Sequence, residues 1–354
     1  MFWYIFLTCF PVALSVVFNT FKKSIKSNDK AKRIYLCICG FAMFLLIALR
    51  HNSVGSDDSF NYYNNWSYLQ SLSFDSMKNY VPGHEMEAGY LYTVWALSKV
   101  FVNPQFVFVF SGLFFSIAVC RYIYINSKEP TISLVMFFCL GLYTFMVQGL
   151  RQSIAMSICL FAIEYCKEKK PIKFFVLIVI AMLFHKSAIA FAPVYFLSCI
   201  KLNAITYIGT FGVGTMLLAF SGPLIRYANI MYGSEYHRIA DSGGFVAVAI
   251  YVIILVAAFI LQKTYGNKKH YDLFFLLTFF GATFYSMRYI GGMIAGRISW
   301  YYMFGQLILL PNIVAKMEHK TRTLVKFAII TLCILLFAYR LHDSNLLIYR
   351  FFWE

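Results

Sequence analysis

Apolar runs of 14 to 20 residues follow one another along almost the whole chain, joined by short polar links, and this repetition limits the fold more than any other feature. A bilayer core takes about 20 mostly apolar residues as a helix, because backbone N–H and C=O groups cannot be left unpaired in hydrocarbon. Twelve runs read as spans: 2–21, 34–49, 104–120, 131–148, 150–166, 171–185, 187–200, 203–221, 244–262, 273–290, 298–315 and 323–339. A weaker stretch covers 88–102. Of all residues 60% are hydrophobic and 13% charged, whereas soluble domains carry about 25% charged residues. This excludes a water-soluble enzyme and a disordered chain. The expectation is an all-α polytopic membrane protein, one integral domain over 1–354 with an outer loop at 50–103. The nine cysteines lie in or at the ends of apolar runs, without CxxC or zinc spacing, and read as small apolar filler. The first run lacks a basic leader and a small-residue cleavage site, so it reads as a retained span.

Lysine-rich links mark the cytoplasmic side. They are 22–33, 167–173, 262–272 and 316–322. Walking between them places 50–87 outside and 121–130 inside, so one of the stretches 34–49, 88–102 and 104–120 cannot cross. The 88–102 stretch is shortest and carries Lys99, and is read as re-entrant or lying at the outer interface. Twelve crossings result, with both termini outside.

The basic residues then separate by type. Of 31 Lys and Arg, 20 fall inside and 17 of those are lysine; of the 11 outside, 8 are arginine. The positive-inside rule accounts for the lysines but gives no reason for outer arginines at span ends. Arginine matches phosphate oxygens with a planar fork, whereas lysine is a point charge. The net charge of +16 is thus a topology signal inside and an anion-binding signal outside. Arginines snorkelling to lipid headgroups would give the same pattern, above all Arg226, Arg238, Arg340 and Arg350.

Four outer elements carry the polar side chains that chemistry needs. The loop from Arg50 holds Asp57, Asp58, Asp75, Glu85 and Glu87 among tyrosines that include Tyr62 and Tyr90. Carboxylates beside aromatic faces suit sugars, and one carboxylate could take a proton from a sugar hydroxyl. A solvated loop with helix caps would look similar, since Ser56-Asp57-Asp58 can simply start a helix. Arg151 and Gln152 open a span where the helix dipole favours an anion. His185, Lys186 and Ser187 occupy an outer turn. Arg288 and Arg297 flank a glycine-rich turn followed by Trp300, Tyr301 and Tyr302. No nucleotide motif and no metal-ligand pattern beyond Asp57–Asp58 appears, so no cofactor is expected and any energy must arrive in an activated substrate. No nucleic-acid partner is expected.

The motifs R-x5-SDD-x3-YY (50–63), E-A-G-Y (87–90), L-R-Q-S-I-A (150–155), F-H-K-S-A (184–188) and R-x3-YY (297–302), in this order, resemble the EpsG-like family, which overlaps the Wzy O-antigen and exopolysaccharide polymerases of bacteria. The resemblance implies a GT-C-like transferase of the inner membrane, working at its periplasmic face on undecaprenyl-pyrophosphate-linked oligosaccharide as both donor and acceptor. It implies pyrophosphate on Arg50, Arg151, Lys186, Arg288 and Arg297. Sugar would lie against Asp58, Tyr62, Glu85, Tyr90, Gln152, Tyr301 and Tyr302. The base would be Asp57, Glu87 or His185, with nothing in the sequence deciding among them. Membrane lipid, and a flippase and chain-length regulator of the same pathway, are the implied partners. A flippase for lipid-linked oligosaccharide and an O-antigen ligase are the alternatives; against the flippase, the chain shows no halved hydropathy repeat. Reporter fusions after Lys170, Lys269 and Lys320 should read cytoplasm, and those after Asp75 and Gly233 periplasm; a cytoplasmic signal at Asp75 would overturn the placement of the outer loop.

Overall fold

The computed structural model describes residues 2–21, 28–55, 57–80, 86–232, 245–262, 270–291, 293–342 and 349–354, with backbone only at a few helix ends, including Asp57 and Asp58. Among the described residues the chain is helical, with a single antiparallel bridge between Arg50 and Phe351. Helices α1 (Phe2–Phe21) and α2 (Asn28–Ala48) precede three helices of the outer loop, α3 (Asp57–Ser71), α4 (Phe74–Lys78) and α5 (Ala88–Val100). Then come α6 (Phe106–Asn126), α7 (Pro130–Cys139), α8 (Leu142–Gln148), α9 (Leu150–Lys167) and α10 (Pro171–Met182). A 3-10 helix (Lys186–Phe191) leads to α11 (Val194–Leu197), α12 (Ala204–Ala219), α13 (Ser221–Tyr232), α14 (Phe245–Leu261) and α15 (Tyr271–Gly291). Last are α16 (Met293–Tyr302), a 3-10 turn (Met303–Gly305), α17 (Gln306–Val314) and α18 (His319–His342).

Three helices, Asp29–Ala48, Phe106–Asn126 and His319–Arg340, are each long and apolar enough to cross a membrane, and two bent pairs raise the number to five. Four expected spans are interrupted. The 131–148 run bends by 55° between α7 and α8, at Gly141, whose φ of +93° disfavours any residue with a side chain. The 203–221 run bends by 66° between α12 and α13. Residues 187–200 are a 3-10 helix and one α-turn, and 298–315 is split by the 3-10 turn at 303–305. Hydropathy reports apolar length and carries no information on such bends. The weak 88–102 stretch becomes the 13-residue α5. At 1.5 Å per residue it is too short for a hydrocarbon core of about 30 Å. Its Lys99 ammonium donates to the Gln70 and Leu72 carbonyls, which ties α5 to the end of α3.

Polar contacts gather at two opposite ends of the bundle. At one, Lys32 donates to the Tyr124 and Ser127 carbonyls, both at 2.6 Å, and Lys167 bridges Glu164 and Asn126. Asn312 donates to the Asn126 carbonyl, and buried Glu129 pairs with Arg322 and Lys326. Every one of these residues falls on the lysine side of the topology walk. At the other end, the Gln105 amide donates to the carbonyls of Ala48 and Arg50, His51 pairs with the Arg350 carbonyl, and Glu87 meets Arg151. The structure thus groups the link residues as the charge pattern groups them.

Candidate functional site

The arginine-rich end is built around Glu87, the residue that precedes α5. One carboxylate oxygen accepts from Arg151 Nη1 at 2.6 Å and the other from the Lys186 backbone N–H at 3.0 Å. Arg151 stands in the first turn of α9, where Gly149 provides no side-chain cap. Its Nε donates to the Tyr62 hydroxyl of α3 at 3.3 Å, and the Tyr62 ring packs edge-on against Tyr90 at 5.5 Å. The close approach of α5 to the turn after α10 depends on Gly89: a Cβ there would lie 2.6 Å from the Leu183 carbonyl oxygen. The Tyr90 N–H donates to that carbonyl. The E-A-G-Y motif therefore places its acid on the F-H-K-S-A turn, and that acid reaches the arginine of L-R-Q-S-I-A.

His185 lies in the turn between α10 and the 3-10 helix, outside both. Its Nδ1 accepts from the Ser187 backbone N–H at 3.2 Å and meets the Ser187 hydroxyl at 2.7 Å, which in turn meets the Tyr301 hydroxyl at 3.1 Å. A backbone N–H can only donate, so Nδ1 is the unprotonated nitrogen and the neutral ring carries its proton on Nε2. Burial, with Arg151 and Arg297 nearby, pushes the imidazole pKa down to about 3. His185 is therefore neutral near pH 7 and offers an N–H at Nε2, not a basic nitrogen. Gln152 donates to the Arg297 carbonyl at 2.7 Å, which joins α9 to α16. Tyr302 donates to the Ala190 carbonyl at 2.6 Å. Arg288 runs alongside Gly296, where a Cβ would lie 3.2 Å from its Cδ.

The structure thus draws together Glu87, Arg151, Gln152, His185, Lys186, Arg297, Tyr62, Tyr90, Tyr301 and Tyr302, with Arg288 on the neighbouring turn. The tyrosines and Gln152 are buried: they frame the arginines, and their rings are packed against protein. Exposed aromatic faces of the outer loop belong instead to Phe60, Tyr68, Phe74 and Tyr92. Arg50 is placed differently from its expected role. Its guanidinium is fully buried, stacks on Phe108 at 4.2 Å and donates to the Val54 and Val147 carbonyls, and burial lowers its pKa to about 10. It closes the start of the outer loop onto the bundle and presents no surface to a phosphate. The side chains of Asp57 and Asp58 and the whole of Glu85 and Arg238 lie outside the described residues; α3 does start at Asp57. Arg226 and Arg350 are exposed. Ser187 is the site residue that motif reading left without a role, because only the fold shows it facing His185 and Tyr301 together.

With this geometry in place, comparison with known proteins gives one decisive match: residues 33–353 match the EpsG family. The chain belongs to the EpsG family. The match spans every motif of the arginine-rich end and nearly all helices of the bundle. No curated protein and no solved structure matches the chain. Membership, with the apolar helices, makes this EpsG-family chain a membrane protein whose function is of the exopolysaccharide or O-antigen polymerase kind.

The His185 environment sets a pH dependence. Below about pH 6.5 the unfolded chain takes up a proton on this ring, whereas the folded chain does so only near pH 3. Protonation therefore favours the unfolded state, and stability should fall as pH drops from about 6.5 toward 3. The apparent melting temperature of the purified protein, followed from pH 7 to pH 4, should decline less steeply in His185→Gln than in the wild type. Equal slopes would contradict a buried neutral ring.

Proposed function

We propose that this EpsG-family protein polymerises a surface polysaccharide at the periplasmic face of the bacterial inner membrane. In this reading twelve crossings carry the arginine-rich end outward, and an undecaprenyl-pyrophosphate-linked glycan is the donor. The observation that carries the reading is the Glu87–Arg151 pair set beside neutral His185 and Arg297, in a chain whose family makes glycans. When a sugar is transferred from pyrophosphate, the bonding pair stays on the departing phosphate oxygen, so the transfer needs donors aimed at that oxygen. Arg151, Arg288, Arg297 and Lys186 supply positive charge, and His185 adds an N–H at Nε2. Glu87 holds the Arg151 guanidinium in one orientation.

In the transfer step a hydroxyl oxygen of the acceptor repeat attacks the anomeric carbon of the donor glycan. The bond from that carbon to the pyrophosphate oxygen breaks, and undecaprenyl pyrophosphate leaves with the bonding pair. The hydroxyl proton needs a base. Both oxygens of Glu87 already accept hydrogen bonds, and His185 carries its proton on the nitrogen left for substrate. These two observations favour Asp57, at the first turn of α3. The exposed aromatics Phe60 and Tyr92 supply apolar faces for the sugar ring or for the polyprenyl chain.

Arg151→Lys, Arg288→Lys and Arg297→Lys keep the charge and lose the fork. Loss of one such donor typically costs about 2.7–4 kcal/mol of transition-state stabilisation, roughly 10²- to 10³-fold in rate. In a deletion strain carrying each variant at normal protein level, polysaccharide should collapse from a ladder to a single added repeat. Arg33→Lys, at the lysine-rich end, should restore the full ladder. Bare core in the deletion strain would point to a flippase or ligase, and full ladders from all three arginine variants would return these residues to lipid-headgroup contacts.

A further inference from the structure

A charged cavity lies at the lysine-rich end, away from the arginine-rich site. It has a volume of about 950 Å³ and opens between α1, α2, α18 and the start of α7. Five basic side chains line it, Lys32, Lys128, His319, Arg322 and Lys326, against one carboxylate, Glu129. Glu129 is buried and serves both Arg322 and Lys326. Among the described residues, neither Lys32 nor Lys128 has a carboxylate within ion-pair distance. Lys32 spends two hydrogens on the Tyr124 and Ser127 carbonyls, which leaves its third donor available. The N-terminal turn of α7, at Pro130–Thr131, opens into the same space and adds its dipole.

The remaining wall is apolar and comes from α1 and α18. Val16 and Phe327 line the cavity and are 62% and 69% exposed, so the apolar wall continues onto the face of the bundle that meets the bilayer. A ligand that fits is anionic at one end and long-chained at the other, with its charge at the depth of the lysine links. We propose that this cavity binds one anionic diacyl phospholipid of the cytoplasmic leaflet. Its phosphate rests between Lys32, Lys128 and the α7 N-terminus, and its acyl chains run along α1 and α18 between Val16 and Phe327. Basic pockets between helices on this side of a membrane suit such headgroups. The site is separate from the arginine-rich end and does not depend on the transferase reading.

The test is native mass spectrometry of the full-length protein, released from nanodiscs that hold phosphatidylglycerol and phosphatidylcholine in equal amounts. The wild type should retain one phosphatidylglycerol in preference to phosphatidylcholine. Lys128→Gln should reduce that occupancy about fivefold, and Lys32→Gln with Lys128→Gln by more, given about fivefold for each charge near a headgroup. Lys128→Arg should retain the lipid. Ser15→Phe fills the cavity without changing charge and should expel it. Lys201→Gln, an exposed lysine outside the cavity, should change nothing. Equal retention of the two lipids, or undiminished phosphatidylglycerol in both Lys128→Gln and Ser15→Phe, would overturn the proposal. So would displacement by glycerol phosphate, which would make the ligand a free phosphate, or by an equal amount of undecaprenyl phosphate, which would make it the polyprenyl carrier.

Discussion

Glu87 accepts from the Arg151 guanidinium and from the Lys186 backbone N–H at once, and most of what is distinctive at the arginine-rich end hangs on that double contact. It joins the outer loop to α9 and to the turn before the 3-10 helix. Its side chain is 10% exposed and that of Arg151 20%, so the pair is shielded from water and its attraction is stronger than that of an exposed ion pair, set against a larger desolvation cost. Removing one member would take the charged partner away from a group that is mostly out of water, which is the costly outcome. Tyr62, Tyr90 and Gly89 then act as supports: two rings and a close backbone approach that keep the acid over the arginine.

The two ends of the bundle solve different problems with the same charge sign. At the lysine-rich end, cations are spent largely on carbonyls and on Glu164 and Glu129, which fastens α2 to α6, α6 to α9 and α18 to the start of α7. At the other end, guanidinium groups are held in fixed directions by Glu87, Tyr62 and the Val54 and Val147 carbonyls. A fixed fork is a recognition device, whereas a lysine on a flexible stem is chiefly a charge. Hydrocarbon surroundings make both arrangements consequential, since an unpaired polar group there has no water to turn to.

Much of the arrangement was legible before the fold. The apolar runs located most helices, and the link residues that the lysine pattern groups on one side do meet at one end of the bundle. The short 88–102 stretch read as non-crossing and is the 13-residue α5. The bend at Gly141 and the 3-10 turn at Met303–Gly305 were not legible, because hydropathy averages over the turn of helix in which each break occurs. Arg50 misled for a related reason: its position at a span end told its depth but not its direction, and it faces Phe108 inside the bundle. Glu87 was legible as an acid and not as a partner, because its separation of 64 positions from Arg151 hides the contact from any local pattern. His185 shows the same limit, since only the facing Ser187 N–H reveals which ring nitrogen bears the proton.

The central claim is that the arginine-rich end transfers glycan from a pyrophosphate carrier, and purified protein reconstituted with a lipid-linked repeat unit tests it most directly. The products would be resolved by length while released undecaprenyl pyrophosphate is counted. The account predicts a ladder of lengthening lipid-linked chains, with one carrier released for each repeat added. Repeat units that cross the bilayer without growing, and with no carrier released, would contradict it.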